Sequence, residues 1–276
     1  MVQMVLIAVV GFVGGVFGSM VGLGGGIFII PCLTLFLDIP IHSAIAAGLV
    51  AVIATSTSSS VAYLRRGLTN LRLAVSLETV LVAGALAGGL LGAALDTGAL
   101  SAIFGGVMIG VSLYMAMGRR AQVLPPREES ALGLLGGVYH DQHHQHLVRY
   151  RVRRLPVGLL SGLIAGGISG LLGVGGGFMT VPAMVLIMGV PMRAAAATSS
   201  MMLGVTACGG AVAYFIRGLV DPGVAVPVVL GVAVGALLGS RLALRVRQSV
   251  LIGVLAVALF ALSVQMILSA AGIRVR

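Results

Sequence analysis

The amino-acid sequence predicts an all-α polytopic membrane protein built from two homologous repeats. Apolar residues fill 59% of the 276 positions and only 9% are charged, which is too little polar surface for a water-soluble chain of this size. Several apolar runs approach the roughly 20 residues that cross about 30 Å of hydrocarbon. A constant register of 151 positions also relates Gly22 to Gly173 and Pro31 to Pro182. The lipid bilayer is therefore the predicted solvent.

The 151-residue register holds over most of each half without a gap. Each half divides into five apolar segments. The first two segments (residues 2–18 with 27–37, and 156–172 with 178–188) are short and meet at a glycine cluster, which is typical of broken or re-entrant helices. The other three segments are long enough to span a membrane. The predicted units are a first repeat (1–117), a joining loop (118–155) and a second repeat (156–276).

The joining segment, residues 118–155, is polar and rich in arginine. All 17 basic residues of the chain are arginines that lie between apolar runs. The net charge of +10 therefore indicates orientation in a membrane and not nucleic-acid binding. The segment is predicted to be cytoplasmic. Its residues 138–139 and 147–152 are predicted to form a small hairpin around a histidine-rich turn.

The two repeats are inverted if each half crosses the membrane an odd number of times, and parallel if the number is even. The positive-inside rule gives nearly the same arginine distribution for both arrangements. The dense group of Arg241, Arg245 and Arg247 favours the inverted arrangement, and the parallel one stays open as the alternative. Repeats with glycine- and proline-interrupted helices at matching positions point to a transport site.

The two glycine clusters are the first candidates for a binding site. Each precedes a helix start, where open main-chain N–H groups and the helix dipole favour an anion. Tight helix crossing is the alternative explanation. We predict that the clusters meet near the membrane midplane and hold a small oxyanion. The candidate residues are Gly24, Gly25, Gly26, Gly175, Gly176 and Gly177.

Hydroxyl side chains within two spanning segments form a second candidate group. Each hydroxyl must find a hydrogen-bond partner in a dry environment. Such groups either line a polar path and donate to a passing anion, or bond to the preceding helical turn and to neighbouring helices. The candidates for lining the path are Thr55, Thr57, Ser58, Thr198, Ser199 and Ser200.

Three charged residues stand at the ends of predicted spans or inside them. Arg66 and Arg217 are candidates for gating, although we favour an interface role because both follow a span directly. Glu78 lies six residues beyond Arg72 and is expected at headgroup depth. A proton-coupling carboxylate is the alternative for Glu78, although its repeat equivalent is Val229.

A histidine-rich run from His140 to His146 is the one candidate for metal ligation. We favour a solvated turn, because nothing in the spans adds further ligands. No Ser-His-Asp or Cys-His arrangement is apparent, and carboxylates are few. The sequence therefore predicts neither an enzyme nor a bound metal or cofactor.

Three motifs together resemble the sulfite exporter TauE/SafE family over nearly the whole chain. They are the G-x-G-G-G-x4-P segment of each half, the stretch from Gly189 to Ser200, and Tyr214-x2-Arg-Gly ahead of Asp221. The resemblance implies a multi-pass carrier of the inner membrane for small sulfur-containing anions such as sulfite or organosulfonates, and we expect an exporter. It leaves the anion, the direction and a coupling ion (proton or sodium) open.

Two other functions stay open from the sequence alone. A divalent-metal transporter would use the histidine-rich run of the joining loop. A membrane-embedded assembly subunit would transport nothing. Activity that is lost on deletion of the run favours the first, and the absence of saturable flux favours the second.

Overall fold

The structure, a computed structural model, describes residues 2–21, 24–65, 67–118, 135–141, 146–242 and 248–270. The first half contains α1 Val2–Val21, α2 Gly26–Phe36, α3 Ile41–Leu64, α4 Leu71–Gly92 and α5 Thr97–Gly118. The second half contains α6 Leu155–Leu172, α7 Gly177–Pro182, α8 Met192–Ile216, α9 Pro222–Leu242 and α10 Gln248–Ala270. A π-helical stretch, Ala183–Ile187, continues α7, and the strands β1 Gly137–Asp141 and β2 His146–Tyr150 lie between the halves.

Helix length and composition confirm an all-α polytopic membrane protein. Six helices among the described residues are long and apolar enough to cross a membrane, and α5 and α10 have 22 and 23 residues. Helix α2 has 11 residues and is short, as predicted. The prediction that the first segment of each half is short is wrong, because α1 and α6 have 20 and 18 residues and are long enough to cross a membrane. Their glycines do not end them, because close packing against a neighbouring helix stabilises glycine in a membrane helix.

Left-handed glycines separate the first two helices of each half. Helices α2 and α7 begin directly after Gly25 and Gly176, whose φ angles are 78° and 76°. Residues with a Cβ rarely adopt this conformation, whereas glycine does so freely. Pro40 and Pro191 hold equivalent positions directly before α3 and α8. The breaks in the two halves are therefore built in the same way.

Glycine contacts interlock the two halves. A Cβ atom added at Gly15 of α1 would lie 2.7 Å from the carbonyl oxygen of Val232 in α9. Gly166 of α6, 151 positions later, meets the carbonyl oxygen of Leu81 in α4 in the same way. Small residues permit such main-chain approach between helices in lipid. Each half thus packs its first helix against the fourth helix of the other half.

Helices that hold the same place in the two halves run in opposite directions. Ser112 of α5 donates a 2.7 Å hydrogen bond to the carbonyl of Ala256 in α10. Gly105, earlier in α5, packs against Ile267, later in α10. The same reversal relates α3 to α8, where contacts move back along α8 as they advance along α3. Inverted repeats require this antiparallel relation.

The predicted hairpin between the halves is confirmed, with β1 antiparallel to β2. Asn70, the N-cap of α4, anchors this hairpin to the helices. Its side-chain nitrogen donates to the carbonyl of Leu135 at 2.9 Å and to the hydroxyl of Tyr150 at 3.1 Å. Val148 and Tyr150 are buried in a hydrophobic cluster with residues of α4 and of the π-helical stretch. The hairpin is therefore docked on the helical bundle.

We expect Gly88→Val to destabilise the protein. The new side chain would overlap the main chain of Gly167 across the contact between α4 and α6, and overpacking of this kind costs about 1–3 kcal/mol. Gly106→Val is the matched control, because Gly106 lies in α5 with no atom within 4 Å of an added Cβ. Thermal unfolding in detergent should show a lower Tm for Gly88→Val alone. Equal Tm values for the two variants would contradict this packing.

Candidate functional site

Both glycine clusters reach the same side chain, Val52 in the middle of α3. Cβ atoms added at Gly24 and Gly175 would lie 2.9 Å and 2.6 Å from Val52 Cγ1. One added at Gly26 would lie 3.1 Å from Val52 Cγ2 and 2.5 Å from the carbonyl oxygen of Gly173. These glycines are all buried. Two breaks that are 151 positions apart in sequence therefore converge in space.

The point of convergence lies at the middle of the two crossing helices. Val52 is central in α3, and Leu203, its repeat equivalent, is one residue from the centre of α8. Leu203 also reaches the cluster, since its Cδ2 would lie 3.0 Å from a Cβ at Gly175. A helix of this length measures roughly 36 Å, so the clusters lie about 18 Å from either end. Val52 and Leu203 cover the glycines in this conformation.

The two helix starts carry main-chain N–H groups that their own helices do not use. The first helical hydrogen bonds end on the Gly25 carbonyl in α2 and on the Gly176 carbonyl in α7, at 3.0–3.1 Å. The N–H groups of residues 26–27 and 177–178 precede these donors, so the helices offer them no acceptor. The helix dipole adds partial positive charge at the same place. Both starts are therefore suited to an anion.

Hydroxyl side chains surround the second cluster. Thr180 Oγ1 donates to the Gly176 carbonyl at 3.2 Å and lies 3.1 Å from Ser199 Oγ. Ser169 of α6 also adjoins Gly176, since a Cβ added there would lie 3.3 Å from Ser169 Cβ. Helices α6, α7 and α8 thus each bring one hydroxyl to this helix start.

Three buried hydroxyls have no hydrogen-bond partner among the described residues. They are Thr69 Oγ1, Ser169 Oγ and Ser200 Oγ, and the residues Ser169 and Ser200 are 0% and 1% exposed. Leaving a polar group buried and unpaired costs about 1–3 kcal/mol. A bound anion beside such a group would accept its hydrogen. Ser169 has this property beside the second glycine cluster.

The hydroxyl groups of α3 donate their hydrogens to carbonyl groups of the protein. Thr55, Thr57 and Ser58 donate to the carbonyls of the preceding turn at 2.8–2.9 Å. Thr57 is exposed on the surface of the protein. Ser56 and Ser60, which follow in the same run, donate to the carbonyl of Ser200 across the contact with α8. In this conformation these five groups have no hydrogen to donate to an anion, and the run bonds α3 to itself and to α8.

The remaining candidate residues lie away from the clusters or outside the described chain. Thr198 accepts a 3.1 Å hydrogen bond from the Asn70 main-chain N–H, on the side where the hairpin docks. Arg217 is exposed at the end of α8. Arg66 lies outside the described residues, as do positions 142–145 of the histidine-rich run. No group of His, Cys, Asp or Glu suited to a metal ion occurs among the residues that are described.

Three residues of this site are not among the candidates predicted from the sequence: Val52, Ser169 and Thr180. Val52 stands in an apolar run that looks the same whether it faces lipid or protein. Ser169 and Thr180 had a usable signal, because the register pairs them with Gly18 and Ile29 of the first half. A hydroxyl that replaces glycine or isoleucine at matching positions marks where the halves differ in chemistry.

A multi-pass helical bundle with interlocked halves and helix breaks that meet at mid-depth has the architecture of a membrane transporter. The chain belongs to the sulfite exporter TauE/SafE family, whose sequence profile matches residues 7–266. This is a family of membrane transporters, so the protein is not an enzyme.

Named relatives agree with this class of protein. The chain is 27% identical to the probable membrane transporter protein YunE of Bacillus subtilis, over 95% of this chain and 97% of the relative. It is 30% identical to a probable membrane transporter protein of Xylella fastidiosa, over 86% of this chain and 84% of the relative. No solved structure matches the chain.

We expect Gly176→Ala to reduce transport about tenfold or more, the effect of losing roughly 1.4 kcal/mol of binding. The new methyl group would stand beside Ser169 at the start of α7. Gly189→Ala is the matched control: its φ of 73° carries the same conformational strain, but an added Cβ has no neighbour closer than 3.9 Å. Flux into proteoliposomes at equal protein density measures the difference. Equal flux for the two variants would show that the start of α7 does not contact the substrate.

Proposed function

We propose that the protein is a secondary transporter of small sulfur-containing anions, sulfite or organosulfonates, across the inner membrane. The main support for this proposal is that both glycine-opened helix starts converge on Val52, at the middle of α3. The description of the family as sulfite exporters supports this class of substrate. The substrate site is formed by the two clusters, with the Ser169 hydroxyl as the donor at the second one and the hydrogen-bonded pair of Thr180 and Ser199 next to it.

The chemistry of the site suits a small oxyanion. Its donors are main-chain N–H groups and hydroxyls, which can surround several oxygens of one sulfur centre. The arginines within the described residues lie at helix ends, in the hairpin or in the segment that follows it, not at the clusters. Neutral donors bind an anion without a fixed opposite charge, so the anion can also leave. A carrier needs both steps in each cycle.

The inverted arrangement supplies a route for alternating access. Equivalent helices run antiparallel, so a rearrangement that opens one side has a counterpart that opens the other. Val52 and Leu203 cover the clusters in the present conformation. Withdrawal of one of these side chains, as α3 moves against α8, would expose the anion to one side of the membrane.

The orientation follows from the arginine-rich joining loop. We place residues 118–155 in the cytoplasm, together with the docked hairpin. The membrane potential then favours outward movement of an anion by about 2.3 kcal/mol per charge per 100 mV. Export of an anion whose charge is not fully cancelled by a co-transported ion therefore needs no further energy source against a modest gradient, and the site is proposed to load from the cytoplasmic side.

Flux measurements with the purified chain in proteoliposomes test the function. Vesicles are loaded with sulfite, sulfoacetate or chloride, and the efflux of each anion is followed. We expect saturable efflux of at least one sulfur anion and much slower efflux of chloride. Efflux that does not differ from that of protein-free vesicles, for every anion, would contradict the proposal.

Val52→Phe should block transport, because the larger ring would fill the point where the clusters meet. Val75→Phe is the matched control, since Val75 is 63% exposed on the surface of α4. We expect Val75→Phe to retain the flux of the unmodified protein and Val52→Phe to lose it, with both variants monodisperse in detergent. Full activity in Val52→Phe would show that the substrate path does not pass the glycine clusters and would contradict the proposal.

A further inference from the structure

The carboxyl group of Glu78 lies between two helices, about 10 Å after the start of α4. Glu78 is about 5 Å from the middle of α4, and its partner Thr206 is about 3 Å from the middle of α8. Thr206 Oγ1 donates a 2.8 Å hydrogen bond to Glu78 Oε1. The contact with Thr206 favours a place inside the helical bundle over the headgroup depth predicted from the distance to Arg72.

The second oxygen of the carboxyl group is buried without a partner. Glu78 Oε2 has no hydrogen-bond partner among the described residues, and Thr206 is fully buried. An ionised carboxylate at this place would be costly, whereas a protonated one is neutral and can donate its own hydrogen. Ionisable residues inside membrane segments, when not paired, commonly mark proton or substrate pathways. A purely structural contact to Thr206 would be served equally by glutamine.

No opposite charge adjoins Glu78 from the helices packed against α4. Helix α6 has no ionisable side chain between Leu155 and Leu172. Helix α8 carries Arg193, about 20 Å before Thr206 along the helix, and the neutral Cys208 and Tyr214. The Tyr214 hydroxyl donates to a carbonyl of α6. On α4 itself the nearest charge is Arg72, about 9 Å away along the axis. A proton is therefore the cation best suited to Glu78.

Helix α8 connects this carboxyl group to the proposed anion site. Thr206 follows Leu203 by three residues, so the two share one face of the helix. Leu203 contacts Gly175, and Ser199 of the same helix contacts Thr180. A shift of α8 that uncovers the glycine cluster would therefore also move the donor that holds Glu78.

We propose that Glu78 is the proton-binding site of the transporter and that one proton moves with each anion. A singly charged anion then moves without net charge and responds to the pH difference, whereas a doubly charged anion keeps one charge on which the membrane potential acts. The proton binds to Glu78 Oε2 on one side of the membrane, forming an O–H bond, and leaves on the other side when the anion leaves. No electron transfer or second reactant is involved. This inference rests on the proposed function, because it assigns the coupling ion of that same transport cycle.

The test uses methanesulfonate, whose single charge does not change between pH 5 and pH 8. Proteoliposomes with the membrane potential clamped at zero receive a pH difference of one unit. With one proton per anion, the unmodified protein should accumulate methanesulfonate about tenfold on the alkaline side. Glu78→Gln keeps the shape and the acceptor for Thr206, and should exchange the anion across the membrane without accumulating it.

Asp96→Asn is the matched control, because Asp96 is an exposed carboxylate that caps the start of α5 through Ala99, and asparagine caps a helix equally well. This variant should accumulate the anion like the unmodified protein. Accumulation by Glu78→Gln would overturn the proton site. If the unmodified protein exchanges the anion but does not accumulate it in response to the pH difference, the proton site is also overturned, while the proposed function stands.

Infrared difference spectra give a measurement that does not depend on transport. The unmodified full-length protein should show the C=O stretch of a buried protonated carboxyl group, which disappears at alkaline pH. Glu78→Gln should lack this band, and Asp96→Asn should retain it. A band that persists in Glu78→Gln, or no such band in the unmodified protein, would overturn the proposal even if no anion is transported. Absence of flux for every anion would overturn the proposed function separately.

Discussion

Close main-chain approach at glycine is the constraint on which the rest of this structure depends. Lipid gives helices little hydrophobic reason to associate, so packing and hydrogen bonding must hold them together. Gly15 and Gly166 bring α1 and α6 into backbone contact with helices of the opposite half. A side chain at either position would separate those helices. The two helix breaks can meet at Val52 because these contacts hold α1 and α6 in place.

The two halves share their framework but differ in chemistry. The glycine breaks have nearly the same backbone angles, with φ of 78° at Gly25 and 76° at Gly176. The second break is surrounded by hydroxyls, whereas the first adjoins Ile29, whose side chain packs against Gly14. Glu78 likewise has no acidic counterpart in the second half. Two halves with matching helix breaks thus differ in that one polar site lies beside the second break and one carboxyl group lies between α4 and α8.

Local features of this fold could be predicted from the sequence, and contacts between distant segments could not. The breaks before α2 and α7 were predictable, because repeated glycines ahead of an apolar run favour a left-handed turn. The hairpin was predictable from alternating residues. The bond between Glu78 and Thr206 joins positions 128 residues apart, and no local pattern marks it. The role of the hydroxyl run in α3 was equally hidden, because back-bonded and path-lining hydroxyls have the same sequence.

The two glycine clusters are proposed to bind one oxyanion together. A structure of the protein with selenite tests it most directly, because selenite has the shape and charge of sulfite and its selenium can be located by anomalous scattering. We expect one selenium peak beside Val52, with selenite oxygens within hydrogen-bonding distance of the N–H groups of residues 26–27 and 177–178 and of the Ser169 hydroxyl. A selenium peak elsewhere in the helical bundle, with both clusters empty at saturating selenite, would contradict it.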